Sequence, residues 1–121
     1  KSIKNMEPSI DLTYIRQMAY MDDLLMIELL QNWEIDVNER IIFIEQAIHN
    51  NKAQYFFKII HELKTSFLII GSVHGLKYCE FLILNLSNGG TLTQLDILKL
   101  KEIYAEIVKT IAGQKLNLKL I

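Results

Sequence analysis

Helix-breaking residues are scarce in this chain, and their placement constrains the fold more than any other feature. Pro8 is the only proline, and four of the five glycines, Gly71, Gly75, Gly89 and Gly90, fall in two clusters. Proline and glycine are the strongest local interruptions of regular structure, so this clustering leaves a few long unbroken segments. Such punctuation suits helices and not a strand-rich fold. No fixed-period repeat or low-complexity tract divides the chain. Residues 1–9 read as a polar N-terminal arm, and residues 10–121 as one folded domain.

The apolar spacing within those segments is helical. Asp11 is placed to cap a short helix from Leu12 to about Met18, and Asp22 a much longer one running toward Asn50. In the long segment Met26, Leu30, Trp33, Val37, Ile41, Ile44 and Ile48 recur three or four residues apart, which is one helical face. Asn50-Asn51 offers a C-terminal cap and turn, because Asn tolerates the left-handed conformation. A third segment, Lys52 to Ile70, carries its stripe on Phe56, Ile59, Leu63, Phe67 and Ile70, and Gly71 closes it. A fourth, Ser72 to Ser87, places Leu76, Cys79, Ile83 and Leu86 inward and stops at Asn88-Gly89-Gly90. A fifth begins near Thr91 or Thr93, where Thr91 and Gln94 have capping-box spacing, and buries Ile97, Leu100, Tyr104, Ile107 and Ile111 before Gly113. The many isoleucines lower helix propensity slightly through β-branching, but periodicity outweighs propensity here. The expected fold is all-α: an antiparallel up-down four-helix bundle with a short additional N-terminal helix across one end.

Composition narrows the function. A chain of 121 residues, half of them hydrophobic, can bury roughly two thirds of its unfolded surface in a single core without disulfides or a structural metal. Its 13 basic residues against 14 acidic ones leave no excess charge for a phosphate backbone or an anionic membrane surface, so neither nucleic acid nor a membrane is an expected partner. Apolar runs such as Ile41-Ile42-Phe43-Ile44 and Phe67-Leu68-Ile69-Ile70 are four residues long, against the roughly 20 that span a bilayer. No signal-peptide pattern is read at the start. A lone cysteine, Cys79, within an apolar helical pattern fits a reducing cytoplasmic setting and a small buried hydrophobe. The expectation is a cytoplasmic, monomeric domain, standing alone or excised from a longer chain.

Few residues offer chemistry. The histidines His49, His61 and His74 lie 12 and 13 residues apart, which is not a local two-His metal spacing, and no metal is expected. There is no G-x-S-x-G elbow and no Walker-type glycine loop; Gly89-Gly90 precedes a helix without a following Lys-Ser/Thr, so no ATP site is expected. Trp33 reads as core, Lys99, Lys101, Lys109 and Lys115 as a solvated face, and Asp22-Asp23 as helix-start charges. His49 and His74 fall near helix ends and read as ordinary surface residues.

His61 differs. At about 100° per residue, the stripe Phe56, Ile59, Leu63, Phe67, Ile70 centres opposite it, so the imidazole points outward from the middle of a long helix. Gln54, Phe57, Lys58, Lys64, Thr65 and Leu68 share its face, and two of these, Phe57 and Leu68, are apolar. An imidazole in water titrates near about 6.5, so at neutral pH it mostly presents a nucleophilic ring nitrogen. Lys64, three residues on, sets an ammonium where a phosphoryl group on that nitrogen would carry its charge. Gln54, Phe57, Thr65 and Leu68 are the candidate partner-docking residues, able to exclude water around a transfer.

The stretch His61-Glu62-Leu63-Lys64-Thr65-Ser66-Phe67-Leu68-Ile69-Ile70-Gly71, followed by Cys79-Glu80, resembles the histidine phosphotransfer (HPt) domain. That family's usual pattern is H-x-L-K-G-S, then an apolar-Gly pair, then C-E or C-R on the next helix. Ile10-Asp11-Leu12-Thr13-Tyr14-Ile15 is similar to its customary first helix, and the likeness runs from about Ile10 to Gly113. The resemblance implies a phosphoryl carrier with no ATP-dependent kinase activity of its own. His61 would take the group from an aspartyl phosphate on one response-regulator receiver domain and pass it to another, with Lys64 as the positive neighbour. It implies no cofactor in this domain, Mg²⁺ being supplied by the receiver, and it admits a place within a hybrid sensor histidine kinase. Two positions depart from the pattern. Thr65 stands where the family has Gly; its hydroxyl is placed to bond phosphoryl oxygens or the carbonyl of His61, and its methyl adds bulk beside the ring. Ile83 stands where many members carry a polar residue facing the ring.

Two other readings use the same residues. His61-Glu62-Leu63-Lys64-Thr65 also resembles the H-box of sensor-kinase dimerisation helices, but there Thr is normally followed by Pro, where this chain has Ser66, and the His helix opens a hairpin ahead of an ATP-binding domain. The alternative of a different class is a degenerate HPt-like interaction module that docks a partner through Phe57, Leu68 and their neighbours without phosphotransfer.

Overall fold

A computed structural model describes residues 10–119, with side chains through residue 114; the expected arm, 1–9, and the side chain of Lys115 in the lysine-rich segment lie outside that description. The described residues form five α-helices and no strand: α1 (Thr13–Met18), α2 (Asp23–His49), α3 (Phe56–Ile70), α4 (Val73–Ser87) and α5 (Gln94–Lys119), with a 3₁₀ turn at Ala53–Tyr55 leading into α3. None is long and apolar enough to cross a membrane.

The helix ends follow from local chemistry. The Asp22 carboxylate accepts the Leu25 N–H at 3.0 Å and caps α2, whose 27 residues make a rod of about 40 Å. Asn51 takes up the left-handed φ of 55° that turns the chain after α2. Gly71 does the same after α3, at φ 73°, and a Cβ there would collide with the Asp11 backbone, so glycine is required twice over at this corner. The Asp11 N–H in turn donates to the Ile70 carbonyl at 3.2 Å, pinning the segment before α1 to the end of α3. Asp11 also accepts from the Thr13 N–H at 3.0 Å and its hydroxyl at 2.7 Å, so α1 opens at Thr13, one residue later than the apolar pattern places it. α5 is capped by Thr93 and Asp96, not by the Thr91 and Gln94 pair: the Asp96 carboxylate reaches back to the Thr93 N–H at 2.9 Å. Nor does α5 stop before Gly113. That glycine sits exposed within a helix that continues to Lys119, since glycine in a helix costs only about 1 kcal/mol and ends one only where left-handed backbone is adopted.

The four long helices touch in a closed ring, α2 with α3, α3 with α4, α4 with α5 and α5 with α2, while α1 packs on α2 and α3. Trp33 on α2 donates its indole N–H to the Ser66 carbonyl on α3 at 2.8 Å, and Arg40, two turns on, pairs with the earlier residue Glu62. Tyr104 on α5 donates to the Glu34 carbonyl at 2.8 Å, and Lys101 pairs with Glu45 at 3.1 Å. Tyr78 on α4 donates to Asp96 at 2.8 Å. The core holds the expected α2 stripe from Met26 to Ile44, with Ala47 buried and Ile48 half-buried at its end.

Elsewhere the inner lines differ by one residue. Ile60 is fully buried and Ile59 only half; Leu82 is fully buried and Ile83, Leu76 and Leu86 only half; Ile103 is buried ahead of Tyr104. On α4 the reason is Gly75, which begins the buried line Gly75, Cys79, Leu82 yet has no side chain for an apolar pattern to register. Its bare Cα lets α4 close on the Phe67 ring, which an added Cβ would strike. Gly75→Ala is therefore expected to lower unfolding free energy by about 1–3 kcal/mol through overpacking. Urea melts check it, and an unchanged midpoint would contradict the close approach.

Candidate functional site on the outer face of α3

The inner face of α3 fixes how the helix is turned. Phe56, Ile60, Leu63, Phe67 and Ile70 are buried, so the opposite side, carrying His61, faces solvent. His61 is exposed one turn after Phe57, whose ring meets the imidazole edge-on, centroids 4.6 Å apart and planes at 67°. Phe57 itself remains 47% exposed and Leu68, two turns beyond His61, 61%, so the imidazole stands on open surface that carries apolar side chains on the same face. Gln54, in the 3₁₀ turn below, and Thr65 are also exposed. The predicted outward face is thus present, and Gln54, Phe57, His61, Thr65 and Leu68 all lie on it.

The charges are less free than the sequence suggests. Lys64 leaves α3 on the α4 side, its Nζ 3.8 Å from a Glu80 oxygen. Lys58, on the other flank, lies 3.7 Å from Glu62, which also holds Arg40 of α2; Arg40 binds Asp36 as well at 3.0 Å. Both lysines beside His61 therefore have carboxylate neighbours. The Thr65 hydroxyl donates to the His61 carbonyl at 3.3 Å, so it is turned back along the helix. Ile83 is half-buried against the core, and it is Phe57 that packs on the His61 ring.

Two contacts at the site lie beyond the roles the sequence assigns. Glu80 stands in the quoted Cys79-Glu80 pair, but only the packing of α4 on α3 brings it to Lys64. The Phe57 contact was available from its spacing, four residues before His61, at which helical side chains meet.

Two surface hollows lie away from the imidazole. One surface hollow of about 350 Å³ is lined by Ile10, Asp11, Leu12, Thr13, Arg16, Thr110 and Gln114, and another of about 220 Å³ by residues of α1, α2 and Ile69; His61 borders neither. Among the described residues no group of three or more His, Cys, Asp or Glu is placed to hold a metal ion. Compared with protein-family models, curated proteins and solved structures, the chain matches none.

Beneath the site, Cys79 is fully buried, and burial pushes its thiol from 9.0 up to about 12. Burial also raises Tyr78, helped by its bond to Asp96, and Tyr104, helped by the Glu34 charge. Each group keeps in the folded state a proton that it releases more readily once unfolded. Their contribution to stability is therefore complete below about pH 9 and falls as pH rises toward 12. Urea melts at about pH 8 and about pH 10.5 should show the decline; a flat profile would contradict the burial of these groups.

Proposed function

We propose that this chain is a histidine phosphotransfer domain of the HPt type, an antiparallel up-down four-helix bundle with α1 laid across one end. The bundle reading is supported by the closed ring of helix contacts and by the reversed order of its cross-links, Trp33 with Ser66 and then Arg40 with Glu62. That the ring closes within one chain favours a monomeric carrier over an H-box hairpin, whose bundle needs a second copy.

The observation that carries the functional reading is the placement of His61: exposed in the middle of α3, edge-packed on Phe57, flanked by the exposed Leu68 and with Lys64 one turn away. In the proposed reaction a receiver domain docks on Gln54, Phe57, Thr65 and Leu68. A lone pair on a His61 ring nitrogen attacks the phosphorus of the receiver's aspartyl phosphate. The N–P bond forms as the carboxyl O–P bond breaks, the aspartate leaves as carboxylate, and the proton on the other ring nitrogen passes to solvent. Return to a second receiver reverses these steps. The receiver supplies the acidic pocket and Mg²⁺; this chain supplies a positioned nucleophile, a shield against water and a nearby cation. A cytoplasmic setting, with receivers and a hybrid sensor histidine kinase as partners, belongs to the same proposal.

The test is phosphoryl transfer from a panel of phosphorylated receiver domains to the wild type and to His61→Gln, read by intact mass and acid lability. Acid-labile label that disappears in His61→Gln is the expected result. A receiver that binds but labels neither protein would replace the carrier with a docking module. In the same assay Thr65→Gly, which removes the methyl and the bond to the His61 carbonyl, should speed labelling roughly fivefold, equivalent to about 1 kcal/mol of barrier. An unchanged rate would show that Thr65 does not hinder approach.

A further inference from the structure

We infer that Glu80 is a positioning residue that holds the Lys64 ammonium aside until a phosphoryl group sits on His61, and so keeps that group easy to pass on. The inference rests on the reading of His61 as phosphoryl acceptor.

The geometry is that of a weak, exchangeable pair. Lys64 Nζ and Glu80 Oε2 are 3.8 Å apart, beyond hydrogen-bonding distance, with the side chains 36% and 53% exposed. Ion pairs of this kind contribute only about 0–1 kcal/mol, so thermal motion opens them readily. The lysine stem is flexible and its three donors rotate, and Lys64 is also a one-turn neighbour of His61. A phosphoryl group on the imidazole would offer more negative charge and more acceptor oxygens than a single carboxylate. Lys64 would then exchange partners, from Glu80 on α4 to the phosphoryl group on α3.

Lys64 shares the α3–α4 seam with Glu80, whereas Lys58, the other one-turn neighbour of His61, stands on the α2 side. Lys58 lies against Glu62, which Arg40 also holds on the α2 side. Because the phosphoryl group must win Lys64 from Glu80, it is held less firmly than beside a free lysine. A relay intermediate benefits from that balance: a tightly held group would be accepted and not surrendered.

The test is the equilibrium partition of phosphoryl groups between a receiver and His61, measured for wild type, Glu80→Gln, Lys64→Gln and the double variant at about 0.05 M and about 0.5 M salt. Glu80→Gln should shift the partition toward phosphorylated His61 by roughly two- to fivefold at low salt, less at high salt, and not at all when Lys64 is already Gln. No shift, or an equal shift with and without Lys64, overturns the positioning role while leaving the carrier reading intact. Absence of label on wild-type His61 from every receiver overturns both.

Discussion

Phe67 lies fully buried where α2, α3 and α4 meet, and its packing decides which way α3 faces. The Trp33 ring stands 6.2 Å from it on one side, and on the other Gly75 gives α4 the room to close over it. The Trp33 indole, held by the Ser66 carbonyl next to Phe67, fastens the same turn of helix to α2. Burial of a phenylalanine side chain contributes roughly 1.5–3 kcal/mol, a large share of the marginal stability of a small domain. With Phe67, Leu63 and Ile60 turned inward, a helix has one orientation left, and His61 is on its outside. The direction of the His61 side chain is thus set by apolar residues on the opposite side of its own helix.

The outer face pairs apolar contact area with weakly held charge. Phe57 and Leu68 offer surface that a partner can cover, while the edge of the Phe57 ring restrains the imidazole without a hydrogen bond. Around them each cation has a carboxylate neighbour, Lys64 with Glu80 and Lys58 with Glu62, so the face carries little net charge before a partner arrives. Exposed pairs of this kind are readily exchanged. A surface arranged this way suits the transient docking proposed for it, in which a partner and then a phosphoryl group would rearrange the charges in turn.

Much of this was legible in the sequence because it rests on periodicity and on local rules. The four long helices, the Asp22 cap, the turn at Asn51 and the stop at Gly71 follow from residue types at short range. The outward direction of His61 survived an inner stripe misplaced by one residue, from Ile60 to Ile59, because a helical face is wider than a single position. What was hidden depends on residues that carry no pattern. Gly75 has no side chain to mark it as core, so the inner line of α4 was drawn through Ile83 in place of Leu82. Gly113 looked like a stop, but glycine signals an end only where the backbone turns left-handed. The Lys64–Glu80 pair joins residues 16 apart on different helices, and only the packing of α4 on α3 creates it.

The measurement that tests the central claim most directly is localisation of the phosphoryl group by tandem mass spectrometry at neutral pH after incubation with a phosphorylated receiver. Three histidines compete on equal chemical terms, and they differ in surroundings. The account predicts one group, on His61, with His49 and His74 unmodified. A group on His49 or His74, or a receiver that loses its phosphoryl group to water while His61 stays bare, would contradict it.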